Sequence, residues 1–278
     1  MNDVEDEISR TCSFIRDSVL KTRSDGVVIA LSGGLDSAVV AALSARALGK
    51  EHVHCCFLRY KSVSLAIDKR HTAMLCDTFG LTFEVNRYVV KASSGSNPST
   101  PSHMTRRVSR TVNDFNVNNR FLNVFFGNIE ALMRSRYLYK RAKEYNSLVL
   151  GALNRSEWLI GYFTQFEKTG VDLQPILHLY KIEIVEMAKA LNIPEEIIAR
   201  IPSSDLWYGK TNEGLTFQKL DKILIEVDAK GRDAHECRIN DVTSGEVARC
   251  IEMMKKAKSK NKGVFPPSID KRSYERCT

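Results

Sequence analysis

No apolar run in the 278 residues approaches the ~20 needed to cross a membrane as a helix, which excludes a helical membrane protein. With 15 glycines and 7 prolines the chain is neither collagen-like nor a low-complexity linker. The seven cysteines are odd in number and scattered, and no C-x-x-C occurs. A zinc ribbon and a dithiol redox motif are therefore not indicated, and reduced, buried thiols are expected. His54, His71, His103 and His178 show no metal-ligand spacing. Neither a Walker A loop nor a G-x-G-x-x-G fingerprint is present. The first ten residues, MNDVEDEISR, are acidic and polar, unlike a secretory signal, so the expected compartment is the cytoplasm.

What is present describes a globular protein, 43% hydrophobic and 27% charged. Lys+Arg outnumber Asp+Glu by 41 to 33, a net +8 that suits an anionic partner, either a nucleotide or a nucleic acid. Val4, Ile8, Cys12, Ile15 and Val19 share one helix face over 3–21. The run GVVIALSGG (26–34) predicts a buried parallel strand ending in glycines. A helix follows over 37–48, stopped by Gly49. A strand at 52–58, a helix at 67–79 and a strand at 82–90 come next. In the second strand the vicinal Cys55 and Cys56 point to opposite faces. Residues 91–120, rich in Ser, Pro and polar groups, read as a mobile or inserted loop. It interrupts a single domain over 1–278 that ends in a basic tail, 255–278. A helix over 121–144, a strand over 147–152, a helix from about Arg155 and helices near 181–191, 194–200, 215–227 and 243–258 complete the chain. Strands alternating with helices predict an α/β fold, a doubly wound parallel sheet with helices on both faces. Ligands of such sheets bind beyond the carboxyl ends of the strands. Trp158 is read as core.

The sharpest signal is Ser32-Gly33-Gly34-Leu35-Asp36-Ser37 between strand and helix. Adjacent glycines let backbone N–H groups approach an anion, and the following helix aims its positive end at the same place. Ser32 and Ser37 add hydroxyls. Asp36 would repel a bare phosphate and makes sense with a cation between them, as when Mg²⁺ bridges a carboxylate and phosphate oxygens.

SGGxDS resembles the pyrophosphate-binding loop of the N-type ATP pyrophosphatases, which split ATP into AMP and pyrophosphate. GNIEALMRSRYLY (127–139), VLGALNRSEWLIGYFTQF (149–166), DLQPILHLYK (172–181) and IPSSDLWYGKTNEGLTF (201–217) resemble, in order and spacing, the ammonia-dependent NAD synthetases. The resemblance implies an adenine nucleotide alpha hydrolase-like, Rossmann-like fold in a homodimeric enzyme. It implies ATP and Mg²⁺ as cofactors and ammonia as nitrogen donor to an adenylated acceptor. By resemblance the nucleotide contacts are Ser32, Gly33, Gly34, Leu35, Asp36, Ser37, Lys181 and Ser203. Asp36 and Glu157 match the Mg²⁺ ligands, and Asp36 and Lys181 carry the chemistry. Asn128 and Arg134 are weaker nucleotide candidates, and Ala152 stands where the family has an ATP-contacting threonine.

The acceptor half departs further from the family pattern. Leu132 replaces an arginine and Gln165 a lysine of the deamido-NAD site; Asn261 stands for a histidine beside Lys262, and Asp172 is retained. Losing one charged hydrogen-bond partner costs roughly 1.5–3 kcal/mol. The losses favour a small-molecule or nucleotide acceptor other than deamido-NAD. The alternative is ordinary deamido-NAD amidation with Arg136, Lys168 or Arg155 compensating. Two further classes compete: a tRNA-modifying ATP pyrophosphatase, motivated by the +8 charge and the basic tail, and a non-catalytic nucleotide sensor. Nucleic acid is the less favoured partner. Residues 204–216 could close over ATP as a lid.

Overall fold

The computed structural model describes residues 2–59, 65–87, 120–164, 170–200, 215–232, 239–260 and 268–269. The expected loop at 91–120, apart from its last residue, lies outside them, as do residues 204–214 of the expected lid and most of the basic tail. So do the site candidates Gln165, Ser203, Asn261 and Lys262.

In chain order the elements are α1 (Asn2–Thr22), β1 (Gly26–Leu31), α2 (Leu35–Leu48), β2 (Val53–Arg59), α3 (Leu65–Phe79) and β3 (Phe83–Arg87). Then follow α4 (Arg120–Glu144), β4 (Ser147–Leu150), α5 (Arg155–Ile160), α6 (Lys181–Ala190), α7 (Glu195–Ile198), α8 (Phe217–Leu224) and α9 (Ser244–Lys260). A widened turn, Ile225–Ala229, continues α8. The expected helices near 194–200 and 215–227 are thus shorter as regular α-helix, the first because Pro194 opens it and the second because its hydrogen bonding widens at Ile225. Among the described residues no helix is long and apolar enough to cross a membrane.

The four strands are parallel in the order β3-β2-β1-β4. Ile29 pairs with Cys55 on one side and with Leu150 on the other. β-Branched residues suit β1, which is covered on both faces. Val27, Ile29 and Leu31 pack with α1, α2, α3 and α6, while Val28 packs with Leu138 and Ala142 of α4. This is the expected sheet with helices on both faces. α2 is apolar nearly all round, and Val39, Val40 and Leu43 are fully buried, as a helix wedged between the sheet and other helices must be. α1 buries Ile8, Cys12, Ile15 and Val19, the face read from their spacing.

Cys55 joins the α2 side of the sheet and Cys56 the α4 side, so strand alternation separates the vicinal thiols. Cys12 and Cys76 lie with Cys55, and Cys250 lies in a third cluster where α8 and α9 enclose Tyr180, Leu220, Ile223 and Leu224. All five are free and buried.

The α4 face is tied to the sheet by charge as well as by apolar packing. Glu84 of β3 accepts from Arg141 Nε at 2.6 Å, from the Tyr137 hydroxyl at 3.0 Å and from Cys56 Sγ at 3.1 Å, and Arg141 Nη2 takes its second oxygen. The Arg141 hydrogen bonds hold the Glu84 carboxyl below its ordinary value of 4.5, against partial burial, with Cys56 and Tyr137 assisting. A carboxyl depressed on folding stabilises above its unfolded value and loses that contribution as pH falls through the folded one. Arg141→Met is expected to cost about 1 kcal/mol near neutral pH, since the pair is partly exposed. Urea unfolding of the two proteins should show that difference shrinking as pH falls below 4.5.

Candidate active site

Strand order reverses between β1 and β4: β2 and β3 lie to one side of β1, and β4 to the other. Ligands of open α/β sheets bind at such a switch point, beyond the strand ends. Two segments emerge there, Ser32–Ser37 after β1 and Gly151–Asn154 after β4.

Gly33 has φ +75°, and a Cβ built on it would lie 2.5 Å from the Asp68 carbonyl oxygen. Glycine is required there twice over, for backbone sign and for space. The Gly33 carbonyl accepts from Arg200 Nη1 at 3.0 Å, with His71 Nδ1 at 3.3 Å, and Arg200 also pairs with the buried Asp68. The next peptide is trans, so the Gly34 N–H points the other way, where it donates to Ser32 Oγ at 3.2 Å. Ser37 Oγ lies 3.1 Å from Ser32 Oγ and donates to the Gly34 carbonyl at 3.0 Å. The two serines brace the loop from within. Gly34 caps α2 without a side chain. The first-turn amides therefore have no side-chain acceptor at the cap, the condition in which a helix start attracts an anion.

Asp36, in the first turn of α2, is engaged from both sides. Lys181 Nζ donates to its Oδ2 at 2.5 Å, and Asn154 Nδ2 to its Oδ1 at 3.2 Å. Asn154 is fully buried and caps α5, its Oδ1 accepting from the Glu157 amide at 2.8 Å. One amide side chain thus links the Asp36 carboxylate to the helix start that carries Glu157. Lys181 is 7% exposed. Burial opposes its charge, but Asp36 and then Glu157 and Asp221 outweigh that, and its pKa lies above the ordinary 10.5.

Gly151 has a spatial reason too: a Cβ there would fall 2.4 Å from the Gln174 side chain, whose Oε1 accepts from the Leu153 amide at 3.1 Å. Trp158 stacks on Phe163, ring centroids 5.4 Å apart, and packs on the cluster of Leu153 and Leu177, the core use expected of it.

The structure therefore gathers Ser32, Gly33, Gly34, Leu35, Asp36, Ser37 and Lys181 at one sheet edge and brings Glu157 within electrostatic reach. The acceptor candidates are placed differently. Leu132 is 47% exposed on α4. Asp172 accepts from the Tyr139 hydroxyl at 3.0 Å and from the Val149 amide at 2.8 Å, holding β4 to the helix that carries Leu132. Asn154, Ser156, Arg200 and Asp221 were not singled out from sequence. Asn154 could have been, since Asn-x-x-Glu before an apolar run is an N-cap signature. Asp221 had no local signal, because its partners lie 39 and 65 residues away.

Among the described residues no group of three or more His, Cys, Asp or Glu converges. Mg²⁺ needs none: it keeps several waters and takes one or two carboxylates besides phosphate oxygens. The hard oxygens of Asp36 and Glu157 fit that pattern, and the lysine ammonium on Asp36 marks a place that calls for positive charge. Gly33→Ala should cost more than the ~1–2 kcal/mol of left-handed backbone alone, because Asp68 must also move. Urea unfolding measures the loss, and calorimetry should show ATP·Mg²⁺ binding weakened with it.

The NAD synthase family model matches residues 7–263. A protein of Thermococcus sibiricus named NH(3)-dependent NAD(+) synthetase is 34% identical over 268 residues, covering 94% of this chain and 96% of its own. A Methanosarcina acetivorans protein of the same name is 35% identical over 80% of this chain and 82% of its own. Among solved structures, NMN synthetase from Francisella tularensis superposes with a TM-score of 0.71 at 25% identity, covering 95% of this chain and 98% of that one. NH3-dependent NAD synthetase from Campylobacter jejuni gives 0.68 at 26%, covering 96% and 98%. The glycine loop at the switch point, the acid pair and its lysine are thus set in a chain that belongs to the NAD synthase family, the ATP-dependent, Mg²⁺-using C–N ligases.

Proposed function

We propose that this ligase amidates deamido-NAD with free ammonia, forming AMP and pyrophosphate from ATP. The observation that carries the ATP half is the Lys181–Asp36 contact at the start of α2, where backbone amides, an ammonium and a carboxylate converge. A carboxylate is a poor electrophile because its leaving group would be oxide. Its oxygen attacks the α-phosphorus, the bond to the bridging oxygen breaks, and pyrophosphate departs. Ammonia then attacks the acyl carbon, AMP leaves with the carbon–oxygen bond, and one proton is lost.

Positioning and charge neutralisation are what such a reaction asks of a protein. The amides of α2 and the loop bind the departing diphosphate. Lys181 moves its ammonium from Asp36 to the phosphates as negative charge builds. Asp36 and Glu157 hold Mg²⁺, which neutralises phosphate charge when bound. Asn154 keeps the two acids in register. Ser203 contacts the nucleotide, and the chain works as a homodimer. Ile129, Leu132 and Tyr139, exposed at helical spacing on α4, supply an apolar stripe for a second copy.

The relatives named NH(3)-dependent NAD(+) synthetases support deamido-NAD, against the sequence-based preference for another acceptor. Asp172, Gln165, Asn261 and Lys262 are assigned to its binding, as is Leu132. A second reading keeps a shorter pyridine nucleotide acid as acceptor, favoured by the arginine replaced at Leu132 and by the likeness to an NMN synthetase. Family membership over 7–263 favours the ligase over the tRNA-modifying and sensor readings.

Purified protein given ATP, Mg²⁺, ammonia and deamido-NAD should release pyrophosphate and form NAD in equal amounts. Deamido-NAD inactive beside an active nicotinate mononucleotide would establish the second reading, and pyrophosphate release with neither would remove both. Asp36→Ala should abolish turnover, and Lys181→Met should lower kcat on the order of 10²–10³-fold, the scale of losing a group that meets developing charge.

A further inference from the structure

Behind the site acids lies a carboxylate that cannot reach solvent. Asp221, in the second turn of α8, is fully buried. Its Oδ1 accepts from the Ser156 hydroxyl at 2.5 Å and its Oδ2 from the Ile182 amide at 2.8 Å. Ser156 Oγ in turn accepts from the Lys181 amide at 2.9 Å. These bonds join α5, α6 and α8 in one closed ring.

Burying a carboxylate is costly unless its oxygens are satisfied and its charge is opposed. Here burial holds the Asp221 pKa above the ordinary 3.8, with Ser156, Ile182 and the charge of Lys181 opposing it in part. Its neighbours on α8, Leu220, Ile223 and Leu224, belong to an apolar cluster with Val247, and an apolar side chain at 221 would carry no such cost. A carboxylate alone accepts on both oxygens, so it can meet donors from two helices at once; an amide has one acceptor and turns a donor toward the other partner.

The two chain segments held this way carry the site. Glu157 follows Ser156, and Lys181 precedes Ile182. Other groups of the α8 region reach the same two segments. Phe217 places its ring 5.9 Å from the Lys181 ammonium. Asp228 accepts from Arg155 at 3.0 and 2.8 Å and from the Tyr180 hydroxyl at 2.7 Å.

We propose that Asp221 is a positioning residue for the adenylation step: by accepting from Ser156 and Ile182 together it fixes the spacing between Glu157 and Lys181, and so their register against Asp36. This rests on the roles given to Lys181 and Glu157 above. A displacement of about 1 Å in a reacting geometry can cost on the order of 100-fold, so a buried brace matters to rate as well as to stability.

Three variants test it: Asp221→Asn, which keeps shape but leaves one acceptor; Ser156→Ala, which removes the shared hydroxyl; and Val247→Ala, which loosens the same cluster away from the ring. Asp221→Asn and Ser156→Ala should each lower kcat for pyrophosphate release by roughly 10–100-fold, the usual scale for groups behind the reacting ones, with KM for ATP nearly unchanged. Val247→Ala should lower Tm and leave kcat within about twofold, because truncating a core side chain acts on stability and its effect does not pass through the ring. Hydrogen exchange of the Ile182 amide, read without any substrate, should speed up in Asp221→Asn and Ser156→Ala relative to Val247→Ala.

Unchanged exchange at Ile182 in both Asp221→Asn and Ser156→Ala overturns the proposal. So does an equal loss of kcat in Val247→Ala, which would make the role one of stability alone. Wild-type protein that releases no pyrophosphate overturns the ligase reading of the site and, with it, the link to adenylation.

Discussion

The ion pair between Lys181 and Asp36 is the contact on which the arrangement of the site depends. It joins residues 145 positions apart and closes the switch point of the sheet with one positive and one negative charge. Lys181 is nearly buried and Asp36 half-buried, so the carboxylate offsets the cost of enclosing the ammonium, and each is set at the start of a helix. The amide of Asn154, the loop glycines and the brace from α8 can all be read as means of keeping these two groups opposite one another. In the proposed reaction the pair would be exchanged: a polyphosphate with its metal would offer Asp36 a stronger cation and Lys181 a stronger anion in the same place.

The fold follows from the need to bury a parallel sheet on both faces. β1 carries alternating apolar residues to two different sets of helices, and α2, almost wholly apolar, occupies the most enclosed position. That enclosure sets the polar start of α2, with Asp36 and Ser37, next to the loop after β1. The proposed chemistry thereby lies at the edge of a largely buried helix. Rigid packing below and charged groups above form one design.

Much of this was legible in the sequence. The strands around GVVIALSGG and SLVLGA, the helix of Ala and Val after the loop and the amphipathic first helix announce themselves by local pattern, and the structure forms them there. The loop SGGLDS was readable because its chemistry is contiguous. What could not be read is what depends on distant partners. Asp221 looks like an ordinary helix-surface acid until Ser156 and Ile182 are folded against it. Arg200 and Asp68 gave no sign that they would brace the Gly33 carbonyl. Asp172 was legible as an acid in a matching segment, yet its bonds to Tyr139 and Val149 arise only from the packing of α4 on β4.

The distribution of the thiols gives the molecule a set of internal clocks. Cys55 and its neighbours report on one side of the sheet, Cys56 on the other, and Cys250 on the helical cluster around α8, where burial pushes its pKa up to about 12. A thiol so shielded reacts with an alkylating agent only when its own layer opens. Because no two layers share a cysteine, the order in which the three are modified over time records the order in which the layers come apart.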